Sequence, residues 1–186
     1  VLVAERLGRP LSIRMRDVLR VLGTLLEPAP VDGKARRGAE TDPAMVLQWE
    51  SDFLAEAGLP PEHLPDDVTL AAMLQRLWLW EVDGVPVAMA AHAPIVQTPG
   101  GAVGRIGPVY TVPTARRRGI GAAVTSVVAR HLLEQGCTAM LYADAANPTS
   151  NGVYERLGFQ AVGEHIEADL LEPTGTSARW EKRIRS

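Results

Sequence analysis

One cysteine, two lysines and nine aromatic residues in 186 positions, with no long hydrophobic run, set the first limits on this chain. A single thiol, Cys137, cannot form an internal disulfide and suits a reducing compartment, so the cytoplasm is expected. It stands in the apolar stretch 137–143 and is expected to be a core thiol, because free Cys is among the most buried residue types. The four histidines, His63, His92, His131 and His165, have no ligand-like spacing, and no metal site is expected. Net charge is −3, so no global field attracts nucleic acid, and no aromatic residue flanks the arginine cluster at 116–118. The longest apolar stretch, 85–96, is interrupted by His92 and Pro94 and is too short and polar to span a membrane. Glu5, Arg6 and Arg9 leave no signal-peptide core in the first ten residues. The first residue is Val1 rather than Met, and further sequence is expected before it.

What the chain does have is concentrated at Arg116-Arg117-Arg118-Gly119-Ile120-Gly121-Ala122. The segment follows a strand-like run, 105–112, and opens an amphipathic stretch ending at Gln135. A glycine-rich turn from strand to helix gathers backbone N–H groups at a helix N-terminus, a seat for phosphate, and arginines beside it can pair with phosphate oxygens. A mononucleotide loop is excluded, because no Gly-Lys pair followed by Ser or Thr occurs. The dinucleotide fingerprint also fails: Val124 stands where a small residue is required, and the first glycine lies far from the strand end.

Further along come Asn147, Ser150 and Tyr154 in the pattern N-x-x-S-x-x-x-Y, then Leu157-Gly158-Phe159. Taken with Arg-x-x-Gly-x-Gly at 116–121, these motifs resemble the GNAT (Gcn5-related N-acetyltransferase) superfamily, whose patterns are [QR]-x-x-G-x-[GA] and N-x-x-[AS]-x-x-x-Y ending in G-F. The resemblance extends over 34–172 in layout and 105–163 in specific motifs. It implies an α+β fold: a mixed, mostly antiparallel sheet, splayed between its fourth and fifth strands, with helices on both faces. It also implies acetyl-CoA as co-substrate. Its pyrophosphate would lie on Arg117, Arg118, Gly119, Ile120, Gly121 and Ala122, and its pantetheine arm would pair with backbone near Tyr110 and Val112. Asn147 would contact the arm and Tyr154 would protonate the departing thiolate. The implied activity is N-acetyl transfer to a primary amine of a small molecule or a protein by direct attack. A non-catalytic acyl-CoA-binding or regulatory module is the alternative, and the oligomeric state stays open.

The rest of the layout comes from pattern. Lys34 to Ala39 reads as a first strand, and Asp42 as the cap of a helix from Pro43 that Gly58 ends. A second helix is predicted over 68–75, and a hairpin turning at Asp83-Gly84 between 78–82 and 85–91. The fourth strand is 105–112, the next helix 121–135 with Gly136 as its stop, and 137–143 a strand apolar enough to be buried on both faces. Asn147-Pro148 starts the last helix, and 160–171 with 177–184 forms a closing hairpin.

Val3-Ala4-Glu5-Arg6-Leu7-Gly8 matches Val153-Tyr154-Glu155-Arg156-Leu157-Gly158 at five of six positions, and an alternating, strand-like run follows each. Residues 1–27 are accordingly read as the end of an upstream, degenerate copy of the fold, 28–33 as a linker and 34–186 as the acetyltransferase domain. Ala4 stands where the second copy has Tyr154, so the first copy would lack that hydroxyl. The fourth strand contains no acid that could deprotonate an amine. Glu50, Glu81 and Asp144 remain candidates for a general base, because a base is identified by geometry. Acids along 42–67 are compatible with a cationic acceptor.

Overall fold

The computed structural model describes residues 9–171. The Val3–Gly8 motif and the predicted closing strand 177–184 lie outside the described residues. One sheet of eight strands organises the chain: β1 (Leu11–Leu22), β2 (Lys34–Arg37), β3 (Leu77–Val82), β4 (Val85–His92), β5 (Val96–Thr98), β6 (Gly101–Thr111), β7 (Thr138–Asp144) and β8 (Phe159–Leu170). Their spatial order is β2-β3-β4-β6-β7-β1-β8, with β5 paired to β6. Among the described residues β6–β7 is the one parallel pair. Among the described residues four α-helices cover the sheet: α1 (Pro43–Glu56), α2 (Asp67–Leu74), α3 (Ile120–Glu134) and α4 (Pro148–Arg156). This is the mixed, mostly antiparallel α+β architecture expected.

Two cores follow from the pleat. Leu77, Leu79, Met89, Ala91 and Tyr110 point to one face and meet Val46 and Trp49 of α1 and Leu70 and Leu74 of α2. Trp78, Ala88 and Ala90, alternating with them on β3 and β4, point to the other face and meet α3 and the end of α4, as does Ile106 of β6 beyond a shift in the β4–β6 register. Val124, Val128 and Leu132 of α3 are fully buried there, each contributing on the order of 1.5–3 kcal/mol. The helix sits this close because β6 has Gly104 beneath it: a Cβ there would stand 2.4 Å from Leu132 Cδ2.

Several local expectations change on folding. Asp42 precedes α1 but makes no capping bond. Its carboxylate instead receives both Nη atoms of Arg36 (2.7 and 2.9 Å) and the Ala39 N–H, a bidentate pair tying the helix start to β2. Asp66 caps α2, accepting from Thr69 N–H at 2.8 Å. Asp83 and Gly84 take φ of 53° and 77°, as a two-residue hairpin turn requires. Unexpected is β5, which pairs with β6 through a turn at Pro99-Gly100, a dipeptide that marks turns.

β7 is buried on one face only: Ala139, Leu141 and Ala143 are covered, whereas Tyr142 is 40% exposed. The apolar run 137–143 suggested two covered faces, but α1 and α2 lie over β3, β4 and β6 and stop short of β7. β1, from the segment assigned to an upstream copy, is an interior strand. It pairs with β7 over Asp17–Val21 and with β8 along its whole length. Arg20 of β1 is 4% exposed and reaches α4, donating to Asn151 Oδ1 (3.1 Å) and Glu155 Oε1 (2.9 Å).

Candidate active site

β6 and β7 run side by side only from Val103↔Thr138 to Ile106↔Leu141. Beyond that point β6 continues along β4 and β7 along β1, and a gap opens between them. The main-chain groups facing this gap follow from register. Val112 N–H donates to Val87 O at 3.0 Å, so residues 112 and 110 turn their peptide groups to β4. Val109 and Thr111, alternating with them, turn theirs to the gap. This corrects the expectation that Tyr110 and Val112 offer backbone to a ligand arm. Tyr110 is 5% exposed, its ring 5.9 Å from Trp49 and its hydroxyl 3.4 Å from Asp52 Oδ2.

The glycine turn lies at the mouth of the gap. Arg117 and Gly119 have φ of 61° and 81°, folding the backbone tightly before α3 starts at Ile120. Gly119 meets a second demand as well, since a Cβ there would come 2.9 Å from Val31 Cγ1. The α3 start has no side-chain cap, and the first bond back to the turn is Ala123 N–H to Gly119 O. The N–H groups of Ile120, Gly121 and Ala122 are thus the orphan donors of a helix start, where the macrodipole favours an anion. The three arginines separate. Arg116 is a brace: its Nε donates to Thr111 O (2.8 Å) and its Nη2 to both Glu56 oxygens (2.6 and 2.9 Å), locking the turn to α1. Arg117 is exposed, and Arg118 stands 3.8 Å from Asp32 beside a shallow cavity of about 210 Å³ lined by Pro30, Val31, Asp32, Arg118 and Ile120. The linker is therefore part of this site's wall, a placement that no local pattern announced.

α4 supplies the other residues. Asn147 Oδ1 accepts from Ser150 N–H at 3.0 Å, the expected N-cap, and its amide nitrogen is uncommitted among the described residues. Tyr154 is half-buried, edge-on to Phe159 with ring centroids 6.1 Å apart. Its hydroxyl makes no hydrogen bond among the described residues, and burial pushes the phenol up to about 12. A neutral phenol with an uncommitted proton is what a general acid requires.

The FR47-like protein family matches residues 86–167. A mycothiol acetyltransferase from Salinispora tropica is 38% identical over 160 residues, 77% of this chain and 50% of that protein. An acetyltransferase of the GNAT family from Colwellia psychrerythraea superposes with a TM-score of 0.69 at 14% identity, over 92% of this chain and 61% of that one. The chain belongs to the GNAT superfamily. An acetyltransferase from Clostridium acetobutylicum solved with acetyl-CoA superposes with a TM-score of 0.54 at 23% identity, over 75% of this chain and 94% of that one. This GNAT chain spans about half the length of the Salinispora relative.

The candidate bases of this GNAT site differ sharply. Glu81 is held by Arg36 Nε at 2.5 Å. Asp144 accepts from Ala146 N–H at 2.8 Å. Glu50, on the buried face of α1 beside Trp49, is 7% exposed, and its Oε1 has no hydrogen-bond partner among the described residues. Burial pushes its carboxyl up to about 7 from an ordinary 4.5. The folded state then holds this proton more tightly than the unfolded state does. Stability from this group is full below about pH 4.5 and falls as pH rises to about 7, by on the order of 3 kcal/mol. Glu50→Gln, which cannot ionise, should flatten that slope and raise stability at pH 8 by up to that amount. Urea unfolding at pH 5 and pH 8 checks it, and an unchanged slope assigns the pH dependence elsewhere.

Proposed function

We propose that this chain is an acetyl-CoA-dependent N-acetyltransferase that transfers the acetyl group directly to a primary amine, with Tyr154 as general acid. The observation that carries the reading is the opening of the β6–β7 ladder beyond Ile106/Leu141 beside the uncapped start of α3. Pyrophosphate would rest on the N–H groups of Ile120, Gly121 and Ala122 with Arg118 alongside, giving up its contact with Asp32. The pantetheine arm would enter the gap and add as a short strand to the open edge of β6, through the peptide groups of Val109 and Thr111. The Asn147 amide nitrogen would serve as a further donor to the arm. Attack by the amine on the thioester carbonyl forms the C–N bond, and the departing thiolate takes the Tyr154 proton.

The general base would be Glu50, the candidate carboxyl whose Oε1 is left without a hydrogen-bond partner among the described residues. A carboxyl with its midpoint near neutrality can take the proton that the attacking nitrogen gives up. A small-molecule acceptor is the simplest extension from the relatives named mycothiol acetyltransferases. The test is release of free coenzyme A thiol from acetyl-CoA across a panel of small amines and amino-terminal peptides. Acceleration by at least one amine is expected. Coenzyme A binding without acceleration by any amine would replace the enzyme by an acyl-CoA-holding module.

A further inference from the structure

α1 meets the end of β6 along one row of side chains. Trp49, Asp52 and Glu56 stand at i, i+3 and i+7, so they share a face and span about 10 Å of the helix axis. The Trp49 ring lies 5.9 Å from that of Tyr110, and the Tyr110 hydroxyl donates to Asp52 Oδ2 at 3.4 Å. Both Glu56 oxygens accept from Arg116 Nη2, at 2.6 and 2.9 Å. Arg116 Cζ is itself 5.5 Å from the centre of the Tyr110 ring, so the three contacts form one connected patch. Contacts spread along a helix in this way fix its rotation and its position along its own axis.

Arg116 also holds the edge of the gap. Its Nε donates to Thr111 O, and Thr111 is one of the two residues whose peptide groups turn to the proposed pantetheine arm. One guanidinium therefore joins the edge that would receive the coenzyme to the last turn of α1. Glu50 lies on the adjoining row of that helix, with Val46 and Leu54 one turn away on either side, and all three are buried. Its Oε1 has no hydrogen-bond partner among the described residues, so the seating of α1 decides where the carboxyl stands. The pair contributes little to stability, because the Arg116 and Glu56 side chains are 39% and 49% exposed and solvent screens them. Position is what it supplies.

We infer that Arg116 and Glu56 are positioning residues: they seat α1 on the coenzyme-binding edge of β6 and thereby set where Glu50 stands. Their role rests on the reading of Glu50 as general base. Neither touches the reacting atoms, and both act through the helix. Without the tie α1 shifts on β6 and water reaches the Glu50 carboxyl. Burial alone holds that carboxyl at about 7, so hydration lowers it toward an ordinary 4.5.

Glu56→Ala tests this. It should leave the fold and coenzyme A affinity unchanged and lower kcat by roughly 10–100-fold, the scale of a small misplacement at the reacting centre. The Glu50 carboxyl, followed by carbon NMR in the coenzyme-free protein, should titrate below its wild-type midpoint. Arg116→Lys keeps the charge but not the planar fork that grips Thr111 and Glu56 together, and it should move the midpoint the same way. A Glu50 midpoint unmoved in both variants overturns the inference, whatever the rate. A rate loss matched by an equal loss of coenzyme A affinity also overturns it, and confines the pair to the glycine turn. Glu50→Gln at the wild-type rate is a different failure: it removes Glu50 as the base, and the inference with it, even where the midpoint has moved.

Discussion

Replacing Tyr154 by Phe should cut acetyl transfer by roughly 10²–10⁴-fold, the range for loss of a positioned proton donor. The substitution keeps the ring, its edge-on contact with Phe159 and its place against the core under α3 and α4, so the fold and coenzyme A binding should survive. No hydrogen bond among the described residues is lost with the hydroxyl. The loss should fall on kcat rather than KM, because the proton is needed only as the thiolate leaves. The direction of the Tyr154 shift adds a pH signature. A phenol at about 12 stays protonated through the working range, so the wild-type rate should show no alkaline fall from this group below about pH 10. Steady-state rates of Tyr154→Phe from pH 6 to pH 10 decide the matter, and a variant retaining the wild-type rate removes Tyr154 from the chemistry.

Gly121→Asp should lower coenzyme A affinity by at least about 100-fold while leaving the protein folded. A Cβ at this position meets Thr111 Oγ1 at 3.4 Å, an ordinary contact, and φ is not in the left-handed region. The carboxylate would stand in the first turn of α3, where the macrodipole stabilises it by ~0.3–1 kcal/mol. That stabilisation is what makes it a competitor: the protein's own anion takes the seat of the pyrophosphate. Two like charges about 5 Å apart at an effective dielectric of ~20 repel by about 3 kcal/mol, or roughly two decades in affinity. Gly121→Asn, similar in bulk but neutral, should lose much less. Calorimetric titration with coenzyme A on both variants separates charge from bulk, and unchanged affinity in a folded Gly121→Asp protein would place the phosphate elsewhere.

Both predictions rest on residues that short motifs identified, and that is no accident of this chain. The α3 start, the Asn147 cap and the Asp83-Gly84 hairpin are each set within a few residues, by φ preferences and donor counts that neighbours in sequence already determine. Asp42 shows where such reasoning stops. Its place before Pro43 is that of a cap, but Arg36, six residues back on a strand, offers a bidentate partner, and a charge-assisted pair outcompetes a capping bond. Tyr110 and Val112 show a second limit. A motif names the strand beside a cleft, but which peptide groups face it depends on register with β4, and a shift of one residue reverses the answer.

The order of residues along this chain was enough to determine the class of fold, the glycine turn before α3 and the capped start of α4, because each is a short-range pattern with a physical cause. Contacts across the sheet decided the rest. They left Glu50 Oε1 without a hydrogen-bond partner among the described residues, made Arg116 a brace, closed the glycine turn with Val31 and Asp32, and placed β1 between β7 and β8. Burial, register and charge pairing depend on residues that are distant in sequence and meet only when the sheet forms, so no window of the chain contains them.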